Sequence, residues 1–316
     1  MTMNIERINL GRSDLMVSRI GLGTWQASYK QWGEDVQDLK IIDAIKKSIE
    51  LGINLIDTAE LYGNGHSEKV IGSAIKGINR EEVVIASKVY GAHLRYDELL
   101  KSAEMSMNRL GVKYLDLYQI HWPDPWEQIP LKETMKAMEK LYVEGKIRAI
   151  GVSNFAVRDM EEAASHLSKG FIASNQVRYN MLQREVEEEV LPYCKRNSIT
   201  VMAWSPLAQG ALTGKYSQTN VPKDRIRSDN KLFKKENLES IQKLLNVMSS
   251  LAKAYKKNIA QVALNWLLKD RIVVPIPGAK TPEQAESNAM SCDWSLNAGD
   301  LKLIAEVLAG IDLDYM

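Results

Sequence analysis

The feature of this sequence that most limits its fold is an alternation of short apolar runs with longer amphipathic segments, repeated eight times. Short apolar runs are typical of buried strands, and the longer segments place apolar residues at helical spacing. Strands that alternate with helices form parallel sheets, because each helix crosses back over the sheet. Eight such units without an interdomain linker predict an α/β protein, a closed (β/α)8 TIM barrel.

The predicted barrel strands follow one another along most of the chain. They cover residues 18–23, 54–57, 82–88, 114–121, 147–153, 172–177, 199–205 and 272–276. The amphipathic segments predict helices, including extra helices late in the chain, over residues 39–51, 67–75, 96–110, 131–143, 157–167, 185–196, 238–255, 259–268, 282–289 and 298–309. Ser67 is the expected N-cap of the second helix. Residues 5–17 predict an N-terminal β-hairpin, since two half-apolar runs flank Gly11-Arg-Ser-Asp14.

An open, doubly wound sheet is the alternative to the barrel. The segment from Gly21 to Gln26 reads Gly-Leu-Gly-Thr-Trp-Gln, so it lacks the third glycine of the dinucleotide-binding fingerprint. No other glycine-rich turn joins a predicted strand to a helix. We therefore expect residues 1–316 to form one barrel domain.

Charge and cysteine content argue against several classes of function. The chain has 41 Lys and Arg residues against 40 Asp and Glu, so its bulk charge favours neither nucleic acid nor an anionic membrane. Cys194 and Cys292 are isolated and no cluster has zinc spacing, so no metal site is predicted. Without a signal peptide or an apolar stretch of about 18 residues, the predicted location is cytoplasmic. The sequence gives no signal for oligomeric state.

Polar residues at the ends of three consecutive predicted strands carry the strongest functional signal. Asp57 ends the second strand, Tyr62 lies in the loop after it, Lys88 ends the third strand and His121 ends the fourth. Taken singly, each is more often a loop cap, a packed ring, a solvent-boundary lysine or a hydrogen-bonded structural histidine. Active sites of (β/α)8 barrels lie at the C-terminal strand ends, so together these residues predict one site.

These segments resemble the catalytic segments of the aldo-keto reductase superfamily. The matching segments read Asp57-Thr-Ala-Glu-Leu-Tyr62-Gly63, Ala86-Ser-Lys88, Gln119-Ile-His121-Trp-Pro123, Gly151-Val-Ser-Asn-Phe155, Gln176-Val-Arg-Tyr-Asn180, Trp204-Ser-Pro-Leu207 and Ile276-Pro-Gly-Ala-Lys280. The resemblance extends over nearly the whole chain and looks closest to the bacterial and archaeal NADP-dependent branch with a long loop after strand seven. It implies NADPH-dependent reduction of aldehydes or ketones, with Asp57, Tyr62, Lys88 and His121 as the catalytic tetrad.

Acid–base chemistry is consistent with those roles. A tyrosine with a pKa of about 10 is a weak acid at neutral pH, and a nearby ammonium such as Lys88 is expected to lower that pKa. Asp57 would keep Lys88 charged and oriented. Tyr62 could then act as general acid, a contribution on the order of 100- to 10,000-fold. His121 could donate a hydrogen bond to the developing alkoxide.

The remaining strand ends suit a nicotinamide. Ser153, Asn154 and Gln176 could hydrogen-bond a carboxamide, and the resemblance implies that they hold the nicotinamide amide. Trp204 ends strand seven, where the family has an aromatic residue, usually tyrosine, that stacks on the nicotinamide ring. Core packing is the competing interpretation of Trp204.

Two further segments suit the phosphates. Residues 208–234 are too long for an ordinary connection, and the resemblance implies a lid over the pyrophosphate. Lys280 precedes a helix N-terminus, a natural phosphate site, and would suit the 2′-phosphate of NADPH. The complete set of expected cofactor residues is Thr24, Trp25, Asp57, Ser153, Asn154, Gln176, Trp204, Ser205, Leu207, Gln209, Gly210, Lys215, Arg225, Arg227, Gly278, Lys280, Gln284 and Asn288.

Tryptophans on the loops after strands one and four predict the substrate side. Trp25, Trp32 and Trp122 could wall an apolar pocket for small aldehydes, ketones or aryl carbonyls. Trp32 and Trp126 could equally anchor their loops. The remaining histidines, His66, His93 and His166, are predicted to be structural or exposed, without partners.

Two other functions remain open from the sequence. Lys88 could form an imine in a Schiff-base aldolase, although that leaves Ser153, Asn154, Gln176 and Lys280 unexplained. The chain could also be a non-enzymatic nucleotide-sensing subunit, as in the potassium-channel β subunits that share the barrel fold.

Overall fold

The computed structural model describes residues 5–28, 32, 36–124, 126 and 128–314. Its strands are β1 (Arg7–Asn9), β2 (Met16–Ser18), β3 (Leu22–Gly23), β4 (Leu55–Asp57), β5 (Val84–Val89), β6 (Leu115–Ile120), β7 (Ile147–Ser153), β8 (Ile172–Arg178), β9 (Thr200–Trp204) and β10 (Val273–Pro275). Its helices are α1 (Asp38–Glu50), α2 (His66–Ala74), α3 (Tyr96–Leu110), α4 (Leu131–Val143), α5 (Val157–Ser165), α6 (Val190–Arg196), α7 (Arg225–Ser228), α8 (Lys235–Tyr255), α9 (Ile259–Leu267), α10 (Pro282–Ala289) and α11 (Ala298–Ala309).

Strands β3 to β10 lie side by side in chain order, and every neighbouring pair is parallel. The barrel closes between its first and last strands, where the Gly21 and Gly23 amides donate to the carbonyls of Pro275 and Pro277 at 2.9 and 3.0 Å. A Cβ atom at position 23 would lie 2.7 Å from the Ile276 carbonyl oxygen, so this seam needs glycine. The closed (β/α)8 barrel is confirmed.

The N-terminal hairpin covers the end of the barrel opposite the strand C-termini. Strands β1 and β2 pair antiparallel, and the Gly11 amide donates to Thr200 Oγ1, at the start of β9, at 2.8 Å. Leu10, Leu15 and Val17 pack into the apolar interior formed by residues that point inward from the barrel strands. Because the hairpin closes this end, only the other end of the barrel is open for a site.

Two helix predictions need correction. Helix α2 begins at His66 after Gly65, which has φ +84°, so Ser67 is not the N-cap. Ser67 is buried within the helix and its Oγ bonds Thr24 and Thr58 at 2.8 and 2.9 Å. The helix predicted over 185–196 is a 3-10 turn, Glu185–Glu187, followed by the shorter α6. Pro192 explains the break, because proline fits an α-helix only in its first turn.

The long segment after β9 contains defined elements. A 3-10 helix covers Ala208–Thr213, α7 follows, and a second 3-10 turn covers Lys231–Phe233 with Leu232 and Phe233 buried. In the part of the chain that the structure describes, no helix combines the length and the apolar character needed to cross a membrane.

Candidate active site

Lys88 lies at the centre of a buried polar cluster at the C-terminal ends of the strands. Its fully buried Nζ donates hydrogen bonds to Asp57 Oδ2 at 2.7 Å, the Thr58 carbonyl at 2.8 Å and the Tyr62 hydroxyl at 3.3 Å. An ammonium has three N–H donors, so all of them are engaged. Asp57 Oδ1 also accepts from Gln176 Nε2 at 2.7 Å, which ties β8 to the cluster. The structure thus joins residues that lie far apart in sequence.

The protonation of this cluster is governed by burial as much as by charge. Burial raises the pKa of Tyr62, and the opposing effect of Lys88 does not overcome it. The expected lowering of the Tyr62 pKa by Lys88 is therefore wrong in its net direction, because the phenolate loses more hydration than the ammonium replaces. Burial would lower the pKa of Lys88, yet the charges and hydrogen bonds of Asp57 and Tyr62 together more than offset this effect, and the pKa of Lys88 is raised. Both groups carry their protons at neutral pH.

His121, directly after β6, is a neutral imidazole. Burial and the nearby Lys88 ammonium lower its pKa to about 3. Its ring meets the Tyr62 ring edge-on, with centroids 5.7 Å apart. Its Nδ1 is buried and has no hydrogen-bond partner among the described residues.

A cavity of about 820 Å³ opens above this cluster. Of the residues predicted for catalysis, cofactor and substrate, all but Lys88 and Arg225 line it. Lys88 lies beneath the wall, where it holds Asp57 and Tyr62. Arg225 is exposed and lies outside the cavity, whereas Arg227, two residues later on α7, lines it. Successive helical residues turn by about 100°, so residues two apart point to nearly opposite sides.

Hydrogen bonds along one wall join the side chains predicted to hold a carboxamide. Asn154 Nδ2 donates to the His121 carbonyl at 3.1 Å and to Ser153 Oγ at 2.9 Å, while Trp204 Nε1 donates to Asn154 Oδ1 at 3.0 Å. Ser153 Oγ donates to the Gln176 carbonyl at 2.9 Å. Trp204 therefore packs against the apolar interior of the barrel and is also oriented by a hydrogen bond at the cavity wall, so the core-packing interpretation holds for part of this side chain.

The far end of the cavity carries the predicted phosphate residues. Lys280 Nζ donates to the Trp32 carbonyl at 2.6 Å, and Gln284 Oε1 accepts from the Lys280 amide at 2.8 Å at the start of α10. Arg227 is held by Asp224, with guanidinium-to-carboxylate distances of 2.6 and 2.7 Å, and lies over the rings of Trp32 and Tyr216. Arg227 thus connects the long segment after β9 to Trp32 at the cavity rim, and Lys280 holds the same tryptophan from the side of α10.

The tryptophans predicted for the substrate pocket, Trp25, Trp32 and Trp122, all line the cavity. Trp25 stacks on Tyr62 at 6.3 Å between centroids and meets Trp32 edge-on at 4.9 Å. Trp122 is half exposed at the mouth, whereas Trp126 is 78% exposed and does not line the cavity.

Other lining residues have little local signal in the sequence. They are Gly23, Gln26, Ser28, Leu61, Gly63, Asn64, Pro206, Thr213, Tyr216, Ala260, Ile276, Pro277 and Ser287. Most flank predicted site residues in the chain, so sequence proximity to those residues was the available clue. Ala260 lies on α9 and reaches the cavity only through tertiary packing.

The chain forms a closed (β/α)8 barrel whose open end carries a buried acid, amine and imidazole beside a half-buried phenol. Enzymes with this fold have their active sites at that end of the barrel, so the fold and the site together define an enzyme of this class. The Aldo/keto reductase family model matches residues 19–309, and the chain belongs to this family. The resemblance stated from the sequence is confirmed, and the chain is an oxidoreductase.

Individual relatives match this chain over nearly its whole length. The chain is 35% identical to the Bacillus subtilis aldo-keto reductase YhdN, covering 96% of this chain and 94% of YhdN. It is 33% identical to the Escherichia coli NADH-specific methylglyoxal reductase, covering 98% of this chain and 100% of that protein. An aldo/keto reductase from Klebsiella pneumoniae, solved with NADP and acetate, superposes with a TM-score of 0.78 at 33% identity, covering 98% of this chain and 100% of that one.

Proposed function

We propose that this protein reduces aldehydes or ketones to alcohols with NADPH, and that Tyr62 donates the proton to the carbonyl oxygen. The observation that carries the proposal is the position of Lys88 Nζ, bonded at once to Asp57 and Tyr62 at the base of the cavity. This arrangement keeps a protonated phenol beside a permanent positive charge. A carbonyl reductase needs both, because its substrate oxygen gains negative charge and then a proton.

The cavity fits a nicotinamide dinucleotide in volume and chemistry. Its volume of about 820 Å³ lies within the range of cofactor sites, roughly 300–1,000 Å³. Gln26 Oε1, Trp32 Nε1 and His121 Nδ1 are buried without hydrogen-bond partners among the described residues, and all three side chains line the cavity. Buried polar atoms are normally paired, so unpaired ones at a cavity wall support a polar ligand.

The residues that would hold the cofactor follow the cavity from end to end. Ser153, Asn154 and Gln176 would bind the carboxamide, and Trp204 would lie against the nicotinamide ring. Residues 205–215 and Arg227 would cover the pyrophosphate, while Lys280, with Gln284 and Asn288 on α10, would bind the 2′-phosphate. When bound, the reduced nicotinamide supplies the hydride.

The protein's own groups then handle the carbonyl oxygen. Tyr62 and His121 hold this oxygen by hydrogen bonds, with the neutral His121 donating from one ring nitrogen. As the carbonyl carbon receives the hydride, Tyr62 transfers its phenolic proton to the carbonyl oxygen, and the alcohol forms. The Lys88 ammonium, 3.3 Å away, stabilises the resulting phenolate until a solvent proton restores it. Asp57 keeps Lys88 charged and fixed in position.

The structure gives no support to a Schiff-base role for Lys88. An imine-forming amine must be unprotonated and must reach the substrate carbonyl. Lys88 is fully buried, engages all three of its donors and has a raised pKa.

The test is the substitution Tyr62→Phe, with NADPH oxidation followed by absorbance over a panel of aldehydes. Methylglyoxal is included because one E. coli relative is named a methylglyoxal reductase. We expect turnover to fall by on the order of 100- to 10,000-fold while NADPH still binds, because only the proton donor is lost. Tyr142→Phe, on α4, is the matched control. Turnover of the Tyr62→Phe variant near the wild-type rate would overturn the proton-donor assignment, and no turnover of the wild type with any carbonyl would favour nucleotide sensing.

A further inference from the structure

The loop that carries Tyr62 has an unusual backbone. Immediately after Tyr62, the residues Gly63, Asn64 and Gly65 have φ values of +60°, +52° and +84°. Glycine adopts this left-handed region readily, and asparagine does so more often than most other residues, so Gly-Asn-Gly suits this turn. Side chains near both ends of this loop make the contacts that hold it in place.

Two buried carboxylates flank Tyr62 in sequence and converge on one arginine. Glu60 and Glu68 are 8% and 0% exposed. Arg109, in the last turn of α3, donates from Nε to Glu68 Oε2 at 2.5 Å, and its terminal nitrogen lies 3.9 Å from Glu60 Oε2. One guanidinium therefore joins the residue two positions before Tyr62 to the residue six positions after it.

Arg109 also packs directly against the loop backbone. A Cβ atom on Gly65 would lie 2.4 Å from Arg109 Cδ and Nε, so the arginine side chain occupies the space that any other residue at 65 would need. The left-handed φ and this close approach both require glycine at 65. The loop and Arg109 are thus fitted to each other in shape as well as in charge.

The same network reaches β5, the strand that carries Lys88. Ser87 Oγ donates to Glu68 Oε1 at 2.6 Å, and adjacent strand residues point to opposite faces, so Ser87 points outward where Lys88 points inward. Glu60 Oε1 accepts from the Tyr90 amide at 2.6 Å and lies 3.1 Å from His93 Nδ1. His93 therefore has a partner, contrary to the sequence-based prediction.

We propose that Arg109 is a positioning residue for the reaction, which fixes the Tyr62 loop so that the phenol stays over Lys88. The inference rests on the proposed role of Tyr62 as proton donor. Arg109 does not line the cavity, so it acts through the loop and not on substrate or cofactor. A small displacement of a reacting group can lower turnover by on the order of 100-fold.

The experiment compares Arg109→Met with Arg80→Met. Arg80 makes an equivalent pair with a buried carboxylate, Asp116, at the same distance of 2.5 Å, but beside the N-terminal ends of β5 and β6. Both variants are expected to lower the midpoint of thermal unfolding. Only Arg109→Met should lower kcat, by on the order of 100-fold, with the Kd for NADPH within about twofold of the wild type. Millimolar ethylguanidinium should restore part of kcat to Arg109→Met alone.

Either of two outcomes would overturn the inference. An unchanged kcat in Arg109→Met, or an equal loss of kcat in Arg80→Met, would show a purely structural role and overturn it. If Arg109→Met does not fold, Glu68→Gln replaces it. This change removes the negative charge that faces Arg109 and turns one of the two acceptor oxygens of Glu68 into a donor, while the side-chain shape is kept, and the same comparison of kcat applies. Tyr62→Phe is assayed in parallel. Near-wild-type turnover of Tyr62→Phe would refute the proton-donor role on which the inference rests, whereas an inactive Tyr62→Phe together with an unchanged kcat in Arg109→Met would refute the role of Arg109 alone.

Discussion

The two ends of the cavity are built differently. At the end that holds Tyr62, the polar groups sit on or beside barrel strands, and Asp57, Lys88 and His121 are almost fully buried. At the far end, Lys215 is exposed and Arg227 and Lys280 are partly exposed, and the elements that carry them are loops and short helices. The first end is held by hydrogen bonds between strands, whereas the second is held mainly by local contacts such as Arg227 with Asp224.

This difference suggests that the two ends of the cavity have different roles. Charged groups fixed before the reaction begins stabilise developing charge without reorganising, which suits the strand-built end to catalysis. Groups on loops can adjust around a large flexible ligand, which suits the other end to binding and release of a nucleotide. Substitutions at the first end should therefore change kcat, and substitutions at the second should change cofactor affinity.

The largest effect is expected from Lys88→Met. The change removes the charge beside Tyr62, so kcat should fall by on the order of 1,000-fold, within the range of general acid–base contributions. It also leaves Asp57 buried without its cation, which should lower the free energy of unfolding by about 3–5 kcal/mol. Steady-state kinetics and urea unfolding measure the two effects.

A double variant separates these effects. Asp57→Asn together with Lys88→Met removes both charges, so much of the lost stability should return while kcat stays low. Recovery of kcat along with stability would mean that the Asp57–Lys88 pair serves the fold and not the reaction. The assignment of catalysis to the strand-built end of the cavity would then be wrong.

The sequence predicted those elements that depend on interactions between residues close together in the chain. It did not predict features that depend on contacts between distant residues. Tyr96–Leu110 and Leu131–Val143 have the predicted bounds because their apolar periodicity is local and uninterrupted. The start of α2 differs because Ser67, a good N-cap by type, is drawn into a buried contact with Thr24, 43 residues earlier. Such a contact depends on the closed barrel and has no local signal.

The candidate site shows the same limit. Asp57, Tyr62, Lys88 and His121 could be predicted to cluster because strand ends of a parallel barrel meet. The net direction of the Tyr62 pKa could not, because it depends on how much water burial removes. The contact of Arg109 with Gly65 joins α3 to a loop 44 positions earlier, so neither residue type nor spacing indicated it.

A second, smaller effect concerns the pH dependence of stability at the strand-built end. The pKa of His121 is about 3 in the folded protein against about 6.5 in an unfolded chain, so between these values the unfolded state binds more protons. Stability is therefore full above pH 6.5 and is lost as pH falls, by about 2 kcal/mol at pH 5. Urea unfolding of the wild type and His121→Gln at pH 5 and pH 7 measures this.

The His121→Gln variant should lose about 2 kcal/mol less than the wild type between pH 7 and pH 5, because glutamine does not titrate. His166→Gln, at the end of α5 and away from the cavity, controls for the loss of a histidine elsewhere. Equal pH dependence in the wild type and His121→Gln would contradict a neutral, buried imidazole.

The smallest effect is expected at the loop-built end, from Lys280→Met. If Lys280 binds the 2′-phosphate, the Kd for NADPH should rise about tenfold, equivalent to about 1.4 kcal/mol, while the Kd for NADH stays the same. The expected change is modest because Lys280 is partly exposed and shares its amine with the Trp32 carbonyl. Quenching of intrinsic tryptophan fluorescence measures both constants, and kcat at saturating NADPH should change less than twofold if this end serves binding alone.

Arg225→Met is the matched control, because it removes one positive charge from the same rim of the barrel but at a side chain outside the cavity. If Lys280 acted only by general electrostatic attraction, both variants would lose affinity for NADPH to a similar degree, and the loss would be larger at low salt. Direct contact with the 2′-phosphate would confine the loss to Lys280→Met. If Lys280→Met raised the Kd for NADPH and the Kd for NADH equally, Lys280 would contact a group that both cofactors share. A preference for NADPH would then have to come from another residue.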